Sequence, residues 1–262
     1  FRRSDFDTAL EFWKRANGKV SAATWQAVAG RISQAQRDQV VERTFNSIRT
    51  PHFDIRVQSS SHSAVEELGR RLELEHERLA AQLGGGPQHV TVIVYTAEDL
   101  QRLYHQRDWA VGFYDGRLRL RWNEVLGPEL SVFIAHELSH AFLHHLYGMS
   151  VPIWVHEGFA QFQEGLRPRS PEEESMEQGV RSRTSWVPLA WLDRRFTQPS
   201  SDQDVGRAYV QARLVVEELV KRYGMERLTA FLQRLARGTP VEAAFDETFP
   251  VRGARVNQGT FE

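Results

Sequence analysis

Five consecutive residues, His136-Glu137-Leu138-Ser139-His140, have the types and the spacing that metal chemistry requires. On a helix, the two histidines at i and i+4 lie on the same face, one turn apart. Two imidazoles placed in this way can both bind one Zn²⁺ at about 2.0–2.1 Å. The glutamate after the first histidine then lies beside the metal-bound water and can accept its proton. The pattern therefore predicts a zinc site with its own general base.

The residues around this pattern predict a buried helix over 129–146. Apolar side chains recur there at helical spacing and extend most of the way round the helix. Gly127-Pro128 precedes the segment and Gly148 follows it, and both are common helix boundary signals. Two histidines and a glutamate in a buried helix cost free energy unless they have a polar partner. A metal ion is the simplest such partner.

A catalytic zinc site usually has three protein ligands and one open position. Position 146, six residues after His140, is leucine, so the variant pattern with a third histidine there is absent. His144 lies on the stripe of the two histidines but about 5.4 Å further along the axis, so we interpret it as structural or outside the coordination sphere. Glu157 lies in a second predicted helix, 152–162. The segment between His140 and Glu157 is long enough for a loop and an antiparallel return of the chain. Glu157 is the better candidate for the third ligand.

This combination of motifs resembles a known clan of enzymes. HExxH followed by the W-x-x-E-G-F-A motif at 154–160 is similar to the gluzincin metallopeptidases, which include thermolysin and the zinc aminopeptidases. The resemblance implies that His136, His140 and Glu157 hold one catalytic Zn²⁺. It also implies that Glu137 is the general base and that Trp154, Gly158 and Ala160 are packing positions.

The resemblance extends to a tyrosine further along the chain. Ala208-Tyr209-Val-Gln-Ala, in a predicted helix over 204–223, is similar to the region where zinc aminopeptidases have a tyrosine over the reaction centre. This implies that the Tyr209 hydroxyl donates a hydrogen bond to the oxyanion; the alternative is an ordinary core aromatic. We expect His156 to line the wall of the site and Gln161 to hydrogen-bond a ligand histidine.

The other elements predict an α+β zincin-like fold. Strands are predicted over 53–57 and 90–95, a helix over 63–83, and a hairpin over 111–122 around Asp115-Gly116. A small mixed β-sheet with the active-site helix is thus followed by a mainly helical C-terminal subdomain.

More narrowly, the chain resembles bacterial peptidase-MA-like proteins over about residues 50–250. The resemblance rests on an "HF" strand and a "YG…G…AF" helical tail, found here as His52-Phe53, Tyr223-Gly224, Gly238 and Ala244-Phe245. Family analogy favours an exported, extracytoplasmic bacterial protein, whereas the sequence does not predict an oligomeric state.

Three regions are predicted along the chain: a helical extension over 1–48, a zincin subdomain over 49–148, and a helical subdomain over 149–262 that carries the third ligand. The extension is interpreted as a packed segment, as the end of a helical repeat array, or as a propeptide. Residues 167–203 are predicted to form a mobile loop along the cleft, with the acidic run Glu172-Glu173-Glu174 on a solvated face.

The predicted hairpin has two possible interpretations. In gluzincins a sheet edge beside the cleft pairs with the backbone of the substrate, and the segment Val111 to Tyr114 is the candidate for that edge. Alternatively, the hairpin is purely structural and presents Arg117, Arg119 and Arg121 to solvent.

Composition excludes several classes of function. With 33 Lys+Arg against 34 Asp+Glu in 262 residues, the charge balance favours neither nucleic acid nor an anionic membrane as a partner. No apolar stretch approaches the roughly 18 residues of a membrane span. The absence of cysteine excludes disulfides and thiolate catalysis.

The predicted activity is zinc-dependent hydrolysis of a peptide or protein substrate. The Gly-x-Met-Glu-Asn segment with which zinc aminopeptidases hold a substrate's amino terminus is absent, and the spacer between His140 and Glu157 is slightly shorter than theirs. An endopeptidase is therefore favoured over an exopeptidase. Two alternatives stay open: a latent or non-catalytic zincin scaffold that acts as a binding module, and a zinc amide hydrolase that acts on a cell-wall peptide.

Overall fold

A computed structural model describes residues 15, 21–58, 62–104, 112–122, 127, 129–165 and 167–249. The chain separates into two compact units. The first, the sheet unit, is drawn from residues up to Glu73 and from His89 to Pro128. The second, the helical unit, is drawn from Leu74 to Gln88 and from Glu129 onward. The predicted regional boundaries at residues 48 and 148 stay predictions.

The sheet unit contains a five-stranded mixed sheet in the order β1-β2-β3-β5-β4. β2, β3 and β5 run parallel, whereas β1 and β4 are antiparallel to their neighbours and form the two edges. The strands are β1 (Asn46–Arg49), β2 (Phe53–Val57), β3 (Val90–Tyr95), β4 (Gly112–Tyr114) and β5 (Leu118–Arg121). Among the described residues from 21 onward, the helices that begin in this unit are α1 (Ala22–Glu42), α2 (His62–Leu83), which continues into the helical unit, and α3 (Ala97–Tyr104).

Side-chain patterns explain the strands. Phe53, Ile55 and Val57 alternate with half-buried residues along β2, as expected for a strand with one core face. β3 is apolar almost throughout and its residues are nearly all buried, as expected for a central strand covered on both faces. The β4–β5 hairpin turns at Asp115-Gly116, where Gly116 has a φ of 99° that a side chain would disfavour.

The arginines of the hairpin are buried, so the prediction of a solvated arginine face is wrong for Arg117 and Arg119. They are 5% and 3% exposed. Arg119 Nη2 lies 2.9 Å from Asp38 Oδ2, and Arg117 Nη1 lies 3.2 Å from Glu42 Oε2. Both carboxylates belong to α1, which is distant in sequence. The arginines therefore face inward because α1 supplies the anions that make their burial possible.

Two tyrosines complete this ion network. Tyr104 Oη donates to Asp38 Oδ1 at 2.6 Å, and Tyr95 Oη donates to Glu42 Oε1 at 2.8 Å. Burial, together with the neighbouring carboxylates, raises the pKa of both phenols, although Arg119 opposes this rise. The tyrosines therefore stay protonated and act as donors. The end of α1 thus contacts the sheet unit through ion pairs and hydrogen bonds as well as through apolar side chains.

The helical unit is built from six α-helices and one 3₁₀ turn among its described residues after 129. They are α4 (Leu130–Tyr147), the 3₁₀ turn Gly148–Ser150, α5 (Ile153–Gln163), α6 (Pro171–Arg181), α7 (Leu189–Thr197), α8 (Asp202–Ala236) and α9 (Val241–Thr248). The predicted α+β class is confirmed: a small mixed sheet is followed along the chain by a mainly helical region.

The prediction of a mobile loop over 167–203 is wrong, because α6 and α7 lie there. The α6 start has a complete capping box. Ser170 Oγ accepts from the Glu173 backbone N–H, and the Glu173 side chain accepts from the Ser170 backbone N–H. Pro171 occupies the first helical position, where it favours a helix. Proline and acidic residues here begin a helix rather than a loop.

The two glycines of the predicted "YG…G…AF" tail, Gly224 and Gly238, lie where a helix is interrupted or ends. Gly224 has a φ of 80° and breaks α8 into two helical stretches. Gly238 has a φ of 83° just after α8 ends. Ala244 and Phe245 of α9 are buried. Among the described residues, none of the helices has the length and apolar character that crossing a membrane requires.

We expect Asp38→Asn to lower the free energy of unfolding by about 3 kcal/mol, because it removes one partner of a buried ion pair. Chemical denaturation of the full chain measures this change. Glu66→Gln is the control, since its partner His62 and Glu66 itself are both exposed, and its effect should stay within about 1 kcal/mol. Equal effects of the two substitutions would contradict a stabilising role for the network.

Candidate metal centre

Two packed helices carry the candidate ligands. α4 buries Leu138, Ala141 and Phe142, while His136 and His140 are only half-buried on another part of its surface. α4 ends at Gly148, whose φ of 72° would disfavour a side chain. The chain then turns through the 3₁₀ segment and returns as α5.

The start of α5 is fixed by α7. Asp193 accepts hydrogen bonds from the backbone N–H groups of Ile153 and Trp154, at 3.2 and 2.9 Å. These groups have no partner within the helix, so a carboxylate from another helix satisfies them. The side chain of Trp154 is 1% exposed. α5 therefore has a defined start one turn before Glu157.

Gly158 allows α5 to approach α8 closely. A Cβ at this position would lie 2.4 Å from the carbonyl oxygen of Ala212. The glycine after Glu157 is thus required by packing, and Ala160 is fully buried as well. The expected packing role of this motif agrees with the structure. This contact also ties the helix of Glu157 to the helix of Tyr209.

The structure brings His136, His140 and Glu157 together. His136 Nε2 and His140 Nε2 lie 3.3 Å apart, and Glu157 Oε2 lies 3.7 Å from each of them. Two ligand atoms at about 2.0–2.1 Å from a tetrahedral Zn²⁺ are about 3.3–3.4 Å apart. These three residues are a possible metal-binding group, and both their chemistry and their spacing fit Zn²⁺.

Electrostatics also favour a cation at this point. Burial raises the pKa of Glu157 to about 7, and the Glu137 and Glu164 carboxylates add to the rise, while His136 opposes it. Burial holds the pKa of His140 well below its usual value, with further lowering by His136 and His156. His140 is therefore neutral, as a metal ligand must be. A divalent cation would compensate the buried carboxylates.

Sequence reasoning missed one residue of the site. His136 Nδ1 lies 2.8 Å from Glu164 Oε1, so the carboxylate orients the ring and leaves Nε2 facing His140. We expected such a contact from Gln161, but Glu164 makes it. Glu164 follows Glu157 by two helical turns and lies on the same face. That spacing is the signal that identifies it.

His156 forms a wall of the site, as expected. Its ring stacks on His140 with 5.8 Å between centroids and an interplanar angle of 29°. Burial lowers the pKa of His156 to about 4, with a further contribution from His144. His156 is thus a neutral neighbour at physiological pH. His144 itself is exposed and lies outside the ligand group.

Glu137 and Tyr209 lie within electrostatic reach of the ligands. Glu137 is half-buried and raises the pKa of Glu157. Burial raises the pKa of the Tyr209 phenol, and Glu157 and Glu137 raise it further. The Tyr209 ring packs edge-on against Phe196 at 5.1 Å. The Tyr209 phenol is therefore protonated and lies within electrostatic range of Glu157 and Glu137.

The pKa of Glu157 predicts how metal-free protein responds to pH. A carboxyl whose folded pKa is raised to about 7 contributes stability that is present below about pH 4.3 and lost as the pH rises through 7. With a chelator present, wild-type stability should therefore fall relative to Glu157→Gln across this window. Urea unfolding at several pH values measures the difference, and parallel curves for the two proteins would contradict the shift.

A family model matches the part of the chain that carries the candidate residues. The sequence model described as Peptidase MA superfamily matches residues 77–258, a range that contains α4, α5 and α8 with all the candidate residues. The comparison with curated proteins finds no significant match. Because the matched range covers more than half of the sequence, the chain belongs to the peptidase MA superfamily.

Proposed function

We propose that this protein is a zinc-dependent endopeptidase in which His136, His140 and Glu157 hold one catalytic Zn²⁺. The observation that carries the proposal is the convergence of their three ligand atoms, 3.3–3.7 Å apart, from two packed helices. Membership in a superfamily of metallopeptidases supports it. When bound, Zn²⁺ would polarise the scissile carbonyl and lower the pKa of the attacking water.

Glu137 is proposed as the general base. It neighbours the ligand His136 on α4, is half-buried, and is close enough to the other carboxylates to shift the pKa of Glu157. In that position it accepts a proton from the attacking water and later donates it to the leaving amine. Glu164 holds the His136 ring in place through Nδ1.

Tyr209 is proposed as the donor to the oxyanion. Its raised pKa keeps the phenol protonated, so the hydroxyl has a hydrogen to donate as negative charge develops on the carbonyl oxygen. Its helix is held against α5 by the close approach at Gly158. A donor that is already positioned needs little reorganisation during the reaction.

The proposed substrate is an extended segment within a peptide or protein. The preference for internal cleavage rests on the sequence, which lacks the segment that would hold a free amino terminus. Unfolded casein is a suitable first substrate, and amino-terminal aminoacyl reporters serve as the comparison. Cleavage of casein at internal bonds by metal-loaded protein alone supports the proposal. Metal-loaded protein that cleaves neither substrate would overturn it.

We expect Glu137→Gln to retain one zinc ion per chain and the wild-type fold while losing at least about 100-fold in turnover. The amide has nearly the same shape but cannot accept the proton. Metal quantification and casein cleavage measure the two effects. Glu174→Gln, at an exposed carboxylate of α6, is the control and should leave both unchanged. A fully active Glu137→Gln protein would contradict the assignment of Glu137 as the general base.

Tyr209→Phe should lower kcat by about 10²–10³ with little change in KM or zinc content, because only the transition state loses a hydrogen bond. Steady-state kinetics on an internally quenched peptide separate the two parameters. Tyr223→Phe, in the same helix and packed against Phe249, is the matched control. A rise in KM with unchanged kcat would instead assign Tyr209 to substrate binding.

A further inference from the structure

We propose that Arg167 and Glu173 connect the start of α6 to the ligand His136, so that this helix start determines how tightly the site holds its metal. The inference rests on the proposed function, because it assumes that His136 is a ligand. It concerns residues beyond the zinc-binding motifs, and it gives a role to one residue of the acidic run, which the sequence favoured as a solvated face over a substrate selector.

The connection begins at Glu164, whose two carboxylate oxygens have different partners. Oε1 lies 2.8 Å from His136 Nδ1, and Oε2 accepts from Arg167 Nε at 2.6 Å. The side chain is 9% exposed. Burial alone would raise the pKa of Glu164, but hydrogen bonds from His136 and Arg167 bring it below the usual value. Glu164 is thus an ionised carboxylate held from both sides.

Arg167 is the middle of the connection. While its Nε binds Glu164, its Nη1 donates to Glu173 Oε2 at 3.1 Å and its Nη2 donates to Glu173 Oε1. Nη1 also donates to the Pro168 carbonyl at 3.2 Å. Two parallel bonds from one guanidinium to one carboxylate fix the orientation of both groups. Lysine cannot reproduce this geometry.

Glu173 anchors the connection in the backbone. Its Oε2 accepts from the Ser170 backbone N–H at 2.9 Å, and its own backbone N–H donates to Ser170 Oγ at 3.2 Å. The hydrogen bonds from Arg167, followed by that from Ser170, lower the pKa of Glu173 to about 2 despite partial burial. Its charge is therefore constant over the working pH range. The capping box of Ser170 and Glu173 thus fixes the end of the connection that lies farthest from His136.

Each contact in this series limits the motion of the next. Without Arg167, Glu164 would be a largely buried carboxylate that has lost the partner of its Oε2 and lies within electrostatic range of Glu157, so its side chain would be free to rotate. His136 would then lose the acceptor that orients its ring. Loss of such partners of metal ligands typically weakens metal binding by about 10–100-fold. Because Arg167 and Glu173 act through Glu164, we expect values near the lower limit.

The test is the zinc affinity of the full chain, measured by competition with a chelator. Arg167→Met and Glu173→Gln should each weaken binding by about 10-fold. The double variant should bind about as tightly as Arg167→Met alone, because both substitutions break one series. Arg167→Lys, which keeps the charge, should give an intermediate value. The visible spectrum of Co²⁺-loaded protein should change in Arg167→Met.

Glu172→Gln is the matched control, since Glu172 lies in the same first turn of α6 but is exposed. It removes the same charge from the helix start and should leave zinc affinity and the Co²⁺ spectrum unchanged. If Glu172→Gln weakens zinc binding as much as Glu173→Gln, the loss comes from the reduced negative charge of the helix start, and the proposed connection is overturned. If folded Arg167→Met and Glu173→Gln bind zinc like wild type, the connection alone is overturned. A wild-type protein that binds no zinc overturns the metal centre as well.

Discussion

Burial of several carboxylates around His136 is the constraint that the candidate metal centre has to satisfy. Glu137, Glu157 and Glu164 come from two neighbouring helices and are at least half-buried. Burial and mutual repulsion raise the pKa of Glu157 to about 7. Such a cluster is stable only when cations share the space. Arg167 compensates one carboxylate from the side, and a divalent metal between the imidazoles would compensate the rest.

Close packing of the helices holds these buried carboxylates in fixed positions. The missing side chain at Gly158 lets α5 lie directly on the backbone of α8, and Asp193 holds the first turn of α5 from α7. Groups placed on well-packed helices move less than groups on loops, so they keep the small separations that coordination requires. The proposed ligand Glu157 and the side chain of Tyr209 thus lie on helices that are joined by the same backbone contact. Disturbing that contact would alter both together.

The parts of the fold that follow local rules were predictable, and the parts that depend on distant partners were not. Strand alternation and helix periodicity identified β2, β3, α4 and α5 to within one residue at each end. The start of α6 also carried a local signal, Ser170 followed by Glu173, which the neighbouring proline obscured. The inward orientation of Arg119 depends on Asp38, 81 residues away in the chain, and no local pattern reveals such a pair. Glu164 was missed because Gln161, one turn after Glu157, was preferred to Glu164, although two helical turns place Glu164 on the same face.

The ion network at the end of α1 has a consequence for processing of the chain. Asp38 and Glu42 neutralise arginines buried in the sheet unit, and β1 then pairs along β2. Proteolytic removal of everything up to residue 48 would remove both carboxylates and most of β1, so Arg117 and Arg119 would lose these counter-ions. A maturation step that preserves both ion pairs must therefore cut before Asp38. These ion pairs connect the end of the predicted extension to the β4–β5 hairpin.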